Sequence, residues 1–266
     1  MIKLIASDMD GTLLDENSKV PPETYELVHE LREAGVHFAA SSGRRLDTLR
    51  EFFEPVADEM DFVASNGAQV MVDGNLIDRE VYSHAAVRRL ERVTEKFDCL
   101  HLALFDRTRS FLLDDESLYE REMDKDLPNA ERVFAAPGPD VNILKASVFC
   151  DNADYVMDMA YVLERELGDC FVFAPSAKKW IDAMQIGVTK ATGIRQIMEH
   201  LDVNTDEVMA FGDAMNDYEI LSFVGHPIAM GNGRYAVKQI AERVIGSNTE
   251  QAVQAEMKRV LERARG

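Results

Sequence analysis

Apolar positions in this chain form short unbroken runs separated by stretches of helical spacing. Leu4-Ile5-Ala6 is the first run and reads as a strand buried on both faces. It ends at Asp8-Met9-Asp10-Gly11, where two carboxylates flank one residue and a glycine lets the chain turn away. Helical spacing follows from about Glu23, with Leu27, Val28, Leu31 and Ala34 on one stripe and Gly35 as the stop. Val36 to Ala40 is a second strand, ended by Ser41-Ser42-Gly43-Arg44. A helix carrying Leu46, Leu49 and Phe53 leads to a third strand, Phe62-Val63-Ala64, which stops at Ser65-Asn66-Gly67. Two further short runs, Gln69 to Val72 and Leu76-Ile77, flank Asp73-Gly74 and predict a hairpin. Strand alternating with helix is the pattern of a parallel sheet covered by helices.

The rhythm changes at about Ser83. From there to Gln185 a helix (Ala85 to Phe97) precedes paired strands, Leu100 to Phe105 with Ser110 to Leu113. Ala146 to Cys150, a helix over Ala153 to Leu167, and the pair Cys170 to Ala174 and Trp180 to Met184 follow. Residues 114–140, charged and rich in proline, read as a helical and loop excursion. The first rhythm returns at Gly187: a helix opened by Lys190, then Val208-Met209-Ala210-Phe211 ending at Gly212-Asp213. A helix over 216–223, a strand at Ile228 to Met230, and a last amphipathic helix (Val253, Met257, Val260, Leu261) follow. The expected organisation is an α/β core of residues 1–82 and 187–266, interrupted by an α+β module of residues 83–186.

Composition narrows the function classes. No apolar run approaches the roughly 18 residues of a membrane span, and Met1-Ile2-Lys3 reaches Asp8 without a signal-type apolar region. The expected location is the cytoplasm, with no membrane partner. Cys99, Cys150 and Cys170 are scattered and form no CxxC, which suggests reduced, structural thiols. The formal net charge of −19 disfavours long-range attraction to nucleic acid. A phosphorylated substrate would therefore need local cations to reverse the field. No HxH or HExxH spacing is present, so a histidine-built metal site is not expected.

The candidate chemistry lies at the strand ends. In an open parallel sheet, ligands bind outside the carboxyl ends of the strands. Asp8, Asp10, Ser42, Gly43, Asn66 and Asp213 all stand at such ends, and Asn216 and Asp217 follow in the last loop. Lys190 opens a helix, where backbone N–H groups and the dipole favour an anion. Asp8 and Asp10 repel one another unless a cation lies between them, and a hard divalent ion, Mg2+, answers that conflict. Carboxylates for a metal beside a hydroxyl, a lysine, an amide and free N–H groups together describe phosphoryl transfer.

These residues carry a resemblance. The chain resembles phosphatases of the haloacid dehalogenase superfamily, specifically the Cof-type group with a C2-type (C2B) cap and a Rossmann-like three-layer core. Asp8-Met9-Asp10-Gly11-Thr12-Leu13-Leu14 matches the first motif, Ser42-Gly43-Arg44 the second, Lys190 the third, and Gly212-Asp213-Ala214-Met215-Asn216-Asp217 the fourth. Asn66-Gly67-Ala68 and Ala229-Met230-Gly231-Asn232 match stretches typical of the group. The resemblance implies that Asp8 is the nucleophile and Asp10 the acid/base. It implies Mg2+ on Asp8, the main-chain carbonyl of Asp10, and Asp213, with Asp217 supporting the metal or the lysine. Ser42, Gly43 and Lys190 would hold the phosphoryl group, and Asn216 would contact it. Arg44 would face substrate or brace the loop, and Asn66 would serve substrate or the turn with Gly67. The implied partner is a small phosphorylated metabolite, a sugar phosphate first, with a flavin-cofactor phosphate and pyridoxal phosphate left open, bound by a monomer or weak homodimer. A phosphotransferase or mutase on the same fold, or a non-catalytic phosphometabolite-binding regulator, would use the same residues. The chain departs from the pattern at Ala191, at Ile181-Asp182-Ala183 and at Thr249-Glu250-Gln251-Ala252.

Overall fold

A computed structural model describes residues 1–79, 81–113, 123, 125, 127 and 129–265. Two compact units emerge: Met1–Arg79 with Thr189–Gly266, and Glu80–Val188.

In chain order the first unit begins with β1 (Leu4–Asp8), α1 (Glu23–Glu33), β2 (His37–Ser41), α2 (Leu46–Phe52) and β3 (Asp61–Ala64). It continues through β4 (Gln69–Val72) and β5 (Asn75–Arg79). The second unit holds α3 (His84–Thr94), β6 (Leu100–Phe105), β7 (Ser110–Leu113), β8 (Glu131–Val133) and β9 (Lys145–Cys150). Its last elements are α4 (Val156–Leu167), β10 (Phe171–Ala177) and β11 (Trp180–Gln185). The chain then re-enters the first unit with α5 (Lys190–Leu201), β12 (Val208–Gly212), α6 (Tyr218–Phe223) and β13 (His226–Ala229). It closes with α7 (Tyr235–Ile240), β14 (Arg243–Val244) and α8 (Ala252–Arg265).

Among the described residues, the first unit is built on an eight-stranded sheet in the order β14-β13-β12-β1-β2-β3-β4-β5. Pairing is parallel from β14 to β3 and antiparallel through β4 and β5. β1 is central and every residue of it is buried, as its unbroken apolar run requires. Ile5 packs into one core with α1, α2 and α8, while Leu4 and Ala6 pack into another with α5, α6 and α7. Helices therefore cover both faces, the three-layer arrangement of a Rossmann-like α/β fold. The β4–β5 hairpin turns at Asp73 and Gly74, both left-handed, as a two-residue turn of this kind demands.

The second unit has a six-stranded sheet in the order β10-β11-β9-β6-β7-β8. α3 and α4 cover one face through Val87, Leu90, Val156 and Leu163. On the other face Phe149 and Trp180 meet edge to face at 5.2 Å beside Met123. Trp180 is thus part of this unit's core. The sequence pattern missed β8: residues 131–133 lie inside the stretch read as helix and loop, yet pair in parallel with β7. Only three residues long and two of them exposed, this edge strand carries no apolar alternation to reveal it. Residues 114–122, 124, 126 and 128 of that stretch lie outside the described residues. Cys99, Cys150 and Cys170 are free thiols. Among the described residues no helix is long and apolar enough to cross a membrane.

Candidate active site

The parallel strands of the first unit bring their last residues to one edge of the sheet. Asp8 ends β1, Ser42 follows β2, Ser65 and Asn66 follow β3, and Asp213 follows β12. Lys190 is the first residue of α5, whose N-terminus is fixed by a reciprocal capping box between Thr189 and Thr192.

A buried ion cluster lies at this edge. The Lys190 ammonium is 1% exposed. It donates to Asp8 Oδ1 and, at 2.8 Å, to Asp217 Oδ1. Asp217 is equally buried, and its other oxygen accepts the N–H groups of Asp213 and Ala214, each at 3.1 Å. One carboxylate therefore anchors the lysine and folds the loop that presents Asp213. The Asp213 carboxylate accepts from the Thr12 hydroxyl at 3.0 Å. Oxygens of Asp8, Asp213 and Asp217 all lie within 4.8 Å of one another.

Electrostatics follow from three carboxylates around one cation. Burial pushes the Asp8 carboxyl up to about 8, with the Asp217 charge adding to the rise and Lys190 opposing it. Asp213 is also raised, first by burial and then by Asp217, against the hydrogen bond from Thr12. Burial works against the Lys190 charge, but Asp217 and Asp8 outweigh it and hold the ammonium above the ordinary lysine range. The surplus of negative charge, on oxygen donors alone, fits a hard divalent cation.

The first-motif loop, Met9–Leu13, is kinked at Asp10 and Gly11. Gly11 has φ +79°, and a Cβ there would stand 2.7 Å from Asp213 Oδ2. Only glycine meets both demands. Asp10 points away from the buried cluster. Its half-exposed carboxylate is held by Arg44 through both oxygens, at 2.7 and 3.1 Å, while the guanidinium lies 4.8 Å over the Phe52 ring. Arg44 thus braces the loop through a salt bridge. Ser42 is buried and its Oγ accepts the Arg44 N–H at 3.2 Å, so it does not cap α2. Asn66 is buried beside Gly43, and Asn216 is exposed on the turn before Asp217. The structure therefore brings Asp8, Lys190, Asp213 and Asp217 into one contact group. Ser42, Gly43 and Asn66 gather at the neighbouring strand ends, and the side chains of Asp10 and Asn216 lie outside the buried cluster.

Several residues that shape the site carry no role in the sequence reading. Asn232 Nδ2 donates to Gly11 O at 2.7 Å, Asn248 Nδ2 to Leu14 O at 2.8 Å, and Gln254 Nε2 to Leu13 O at 3.3 Å. Three amides from the C-terminal segment thus hold the carbonyls of the first-motif loop. Gln254 left a trace in the sequence: it sits between Val253 and Met257 on the buried face of an amphipathic helix, where a polar residue needs a partner.

Comparison with known proteins agrees with this architecture. A family model described as haloacid dehalogenase-like hydrolase matches residues 5–257. The 5-amino-6-(5-phospho-D-ribitylamino)uracil phosphatase YbjI of Escherichia coli is 29% identical over 98% of this chain and 96% of its own. The HMP-PP phosphatase of Citrobacter koseri is 28% identical over 95% of this chain and 93% of its own. The crystal structure of SMU.1108c from Streptococcus mutans superposes with a TM-score of 0.86 at 24% identity, over 98% of this chain and all of that one, which shows a shared fold. The chain belongs to the haloacid dehalogenase-like hydrolase family.

Proposed function

We propose that the chain hydrolyses small phosphorylated metabolites, sugar phosphates foremost, through a covalent phosphoryl group on Asp8 and with Mg2+ bound. The observation that carries this reading is the buried Asp8 carboxylate joined to Lys190 at the carboxyl edge of the sheet. Asp8 and Asp213 would hold the ion together with the main-chain carbonyl of Asp10, with Asp217 supporting them. When bound, the ion supplies positive charge that offsets the charge gathering on the phosphoryl oxygens.

The chain's own groups divide the chemistry. An Asp8 oxygen bonds to phosphorus as the bond to the alcohol oxygen breaks, and Asp10 gives that oxygen its proton. Asp10 then takes a proton from the water whose oxygen displaces Asp8, restoring both groups. Lys190, Ser42 and the Gly43 N–H bind phosphoryl oxygens, and Asn216 contacts them. Arg44 fixes where the Asp10 carboxylate rests between these steps. Residues 83–186 act as the cap that selects the alcohol part. The names of the two phosphatase relatives support a small phosphorylated metabolite as substrate.

The test is phosphate release by the purified protein across a panel of phosphorylated metabolites, with Mg2+ and with chelator. Metal-dependent release from a few sugar phosphates is the expected result. Tight binding of one member without release from any would overturn the reading in favour of a non-catalytic regulator.

A further inference from the structure

The groups proposed to hold the ion sit on two loops far apart in the chain. Asp8 and the Asp10 carbonyl belong to the first-motif loop, and Asp213 follows β12. A carboxylate can adjust by changing rotamer, but a main-chain carbonyl goes wherever its loop goes. This loop pivots on Gly11, the residue type with the widest backbone freedom, at φ 79° and ψ −2°. Where the Asp10 carbonyl stands therefore depends on what grips the chain around Gly11.

The grip comes from the turn after β13. Asn232 Nδ2 donates to Gly11 O at 2.7 Å, one carbonyl beyond that of Asp10. Two residues on, the Arg234 N–H donates to Asp213 O at 2.8 Å. Gly233, between them, packs so closely that a Cβ there would stand 3.1 Å from Asp213 Cα. One short turn thus holds both loops. The turn is itself anchored, because the Gly231 N–H donates to Gly246 O at 3.0 Å and Asn232 Oδ1 accepts the Asn248 N–H at 3.3 Å. With its oxygen on an N–H and its nitrogen on a carbonyl, the Asn232 amide fits in one orientation only. Its side chain is exposed, so the bond to Gly11 adds little to the core.

We propose that Asn232 is a positioning residue for the metal. It keeps the Gly11 carbonyl in fixed relation to Asp213, and so keeps the Asp10 carbonyl and the Asp213 carboxylate in register with one another. This rests on the phosphatase reading above and extends it to a residue that supplies no ligand atom.

The test is calorimetric titration of the purified full chain with Mg2+ and with Ca2+, without substrate. Mg2+ demands near-ideal octahedral geometry, whereas Ca2+ accepts irregular sites. Asn232→Ala removes the donor without changing charge. It is expected to raise the Kd for Mg2+ about tenfold, as loss of a group that orients a ligand does, and the Kd for Ca2+ much less. The metal-free unfolding midpoint stays near wild type. Asn232→Asp keeps the size and the acceptor for Asn248. Its added charge acts on both divalent ions alike, so the ratio of the two Kd values still reports geometry, and the same rise in that ratio is expected. A ratio unchanged from wild type in both variants, including an equal loss of both ions, overturns the inference while leaving the phosphatase reading standing. A wild type that binds neither ion overturns both the inference and the place of Mg2+ in that reading.

Discussion

Among the described residues, a titratable cluster stands at each of the two edges of the core sheet, and both bring three metal-ligand atoms within 4.8 Å. At the carboxyl edge stand Asp8, Asp213 and Asp217, with Lys190 as the cation bonded among them. At the amino edge His37 and Asp61, the first residues of β2 and β3, meet at 2.9 Å, and the Asp73 N–H donates to Asp61 at 3.1 Å. There Arg32 reaches the His37 ring at 3.0 Å and pairs with Asp73, so two carboxylates already have a guanidinium among them. Both groups gather their ligand atoms within 4.8 Å, but their charge balance differs. A buried surplus of carboxylate over cation invites a metal, whereas a group that carries its own arginine is a structural ion pair.

The largest effect expected at either edge is catalytic. Asp8→Asn should lower turnover by at least about a thousandfold while the protein stays folded, as steady-state kinetics and circular dichroism would show. Asp73→Asn should leave turnover near wild type. Next comes the buried cation. Lys190→Met removes the partner of two buried carboxylates and should cost about 3 kcal/mol or more in denaturant unfolding. Arg32→Met, on a partly exposed pair, should cost about 1 kcal/mol or less. An equal cost at both sites would erase the distinction drawn between them.

Cation binding gives a third contrast. Mg2+ at about a hundredfold excess over its Kd should stabilise the wild type by about 3 kcal/mol. Asp213→Asn should abolish that gain and Asp73→Asn should keep it; the reverse pattern in thermal unfolding would move the metal to the amino edge.

A last contrast is a pair of pH profiles of opposite sign. The folded pKa of Asp8, about 8, lies above its ordinary 3.8, so the folded state holds that proton more tightly. Its stabilisation is complete below pH 3.8 and is lost as pH rises through about 8. The metal-free protein should therefore weaken across that window, and Asp8→Asn should flatten the decline. At the amino edge Glu207 is held down to about 2 by hydrogen bonds from Lys3 and the Asn204 N–H. That stabilisation is present above pH 4.5 and is lost as pH falls through about 2. Glu207→Gln should remove this acid-side loss without touching the alkaline one.

The two edges were not equally legible. At the carboxyl edge each apolar run stops at a polar residue, and period alone marks Asp8, Ser42, Asn66 and Asp213 as strand-end positions. His37 and Asp61 also stand at strand ends, but their meeting depends on register between strands, which no local pattern states. The pairing of Asp10 with Arg44 was open for the same reason, since 34 residues separate them. Thr12 and Asn232 lay inside stretches already singled out, yet nothing local says that one bonds Asp213 and the other Gly11 O.

The sequence by itself determined the α/β class, the interrupted sheet rhythm and which residues stand at strand ends, because those depend on hydrophobic period and on glycine within short windows. Only the tertiary structure decided the partners. It joined Lys190 to Asp8 across 182 positions and to Asp217 across 27, and it set Asn232, Asn248 and Gln254 on the carbonyls of residues 11, 14 and 13. Such contacts arise when distant strands take one register and bury their ends together. The same burial raises Asp8, because that shift exists only once water has been excluded from around three carboxylates and one lysine.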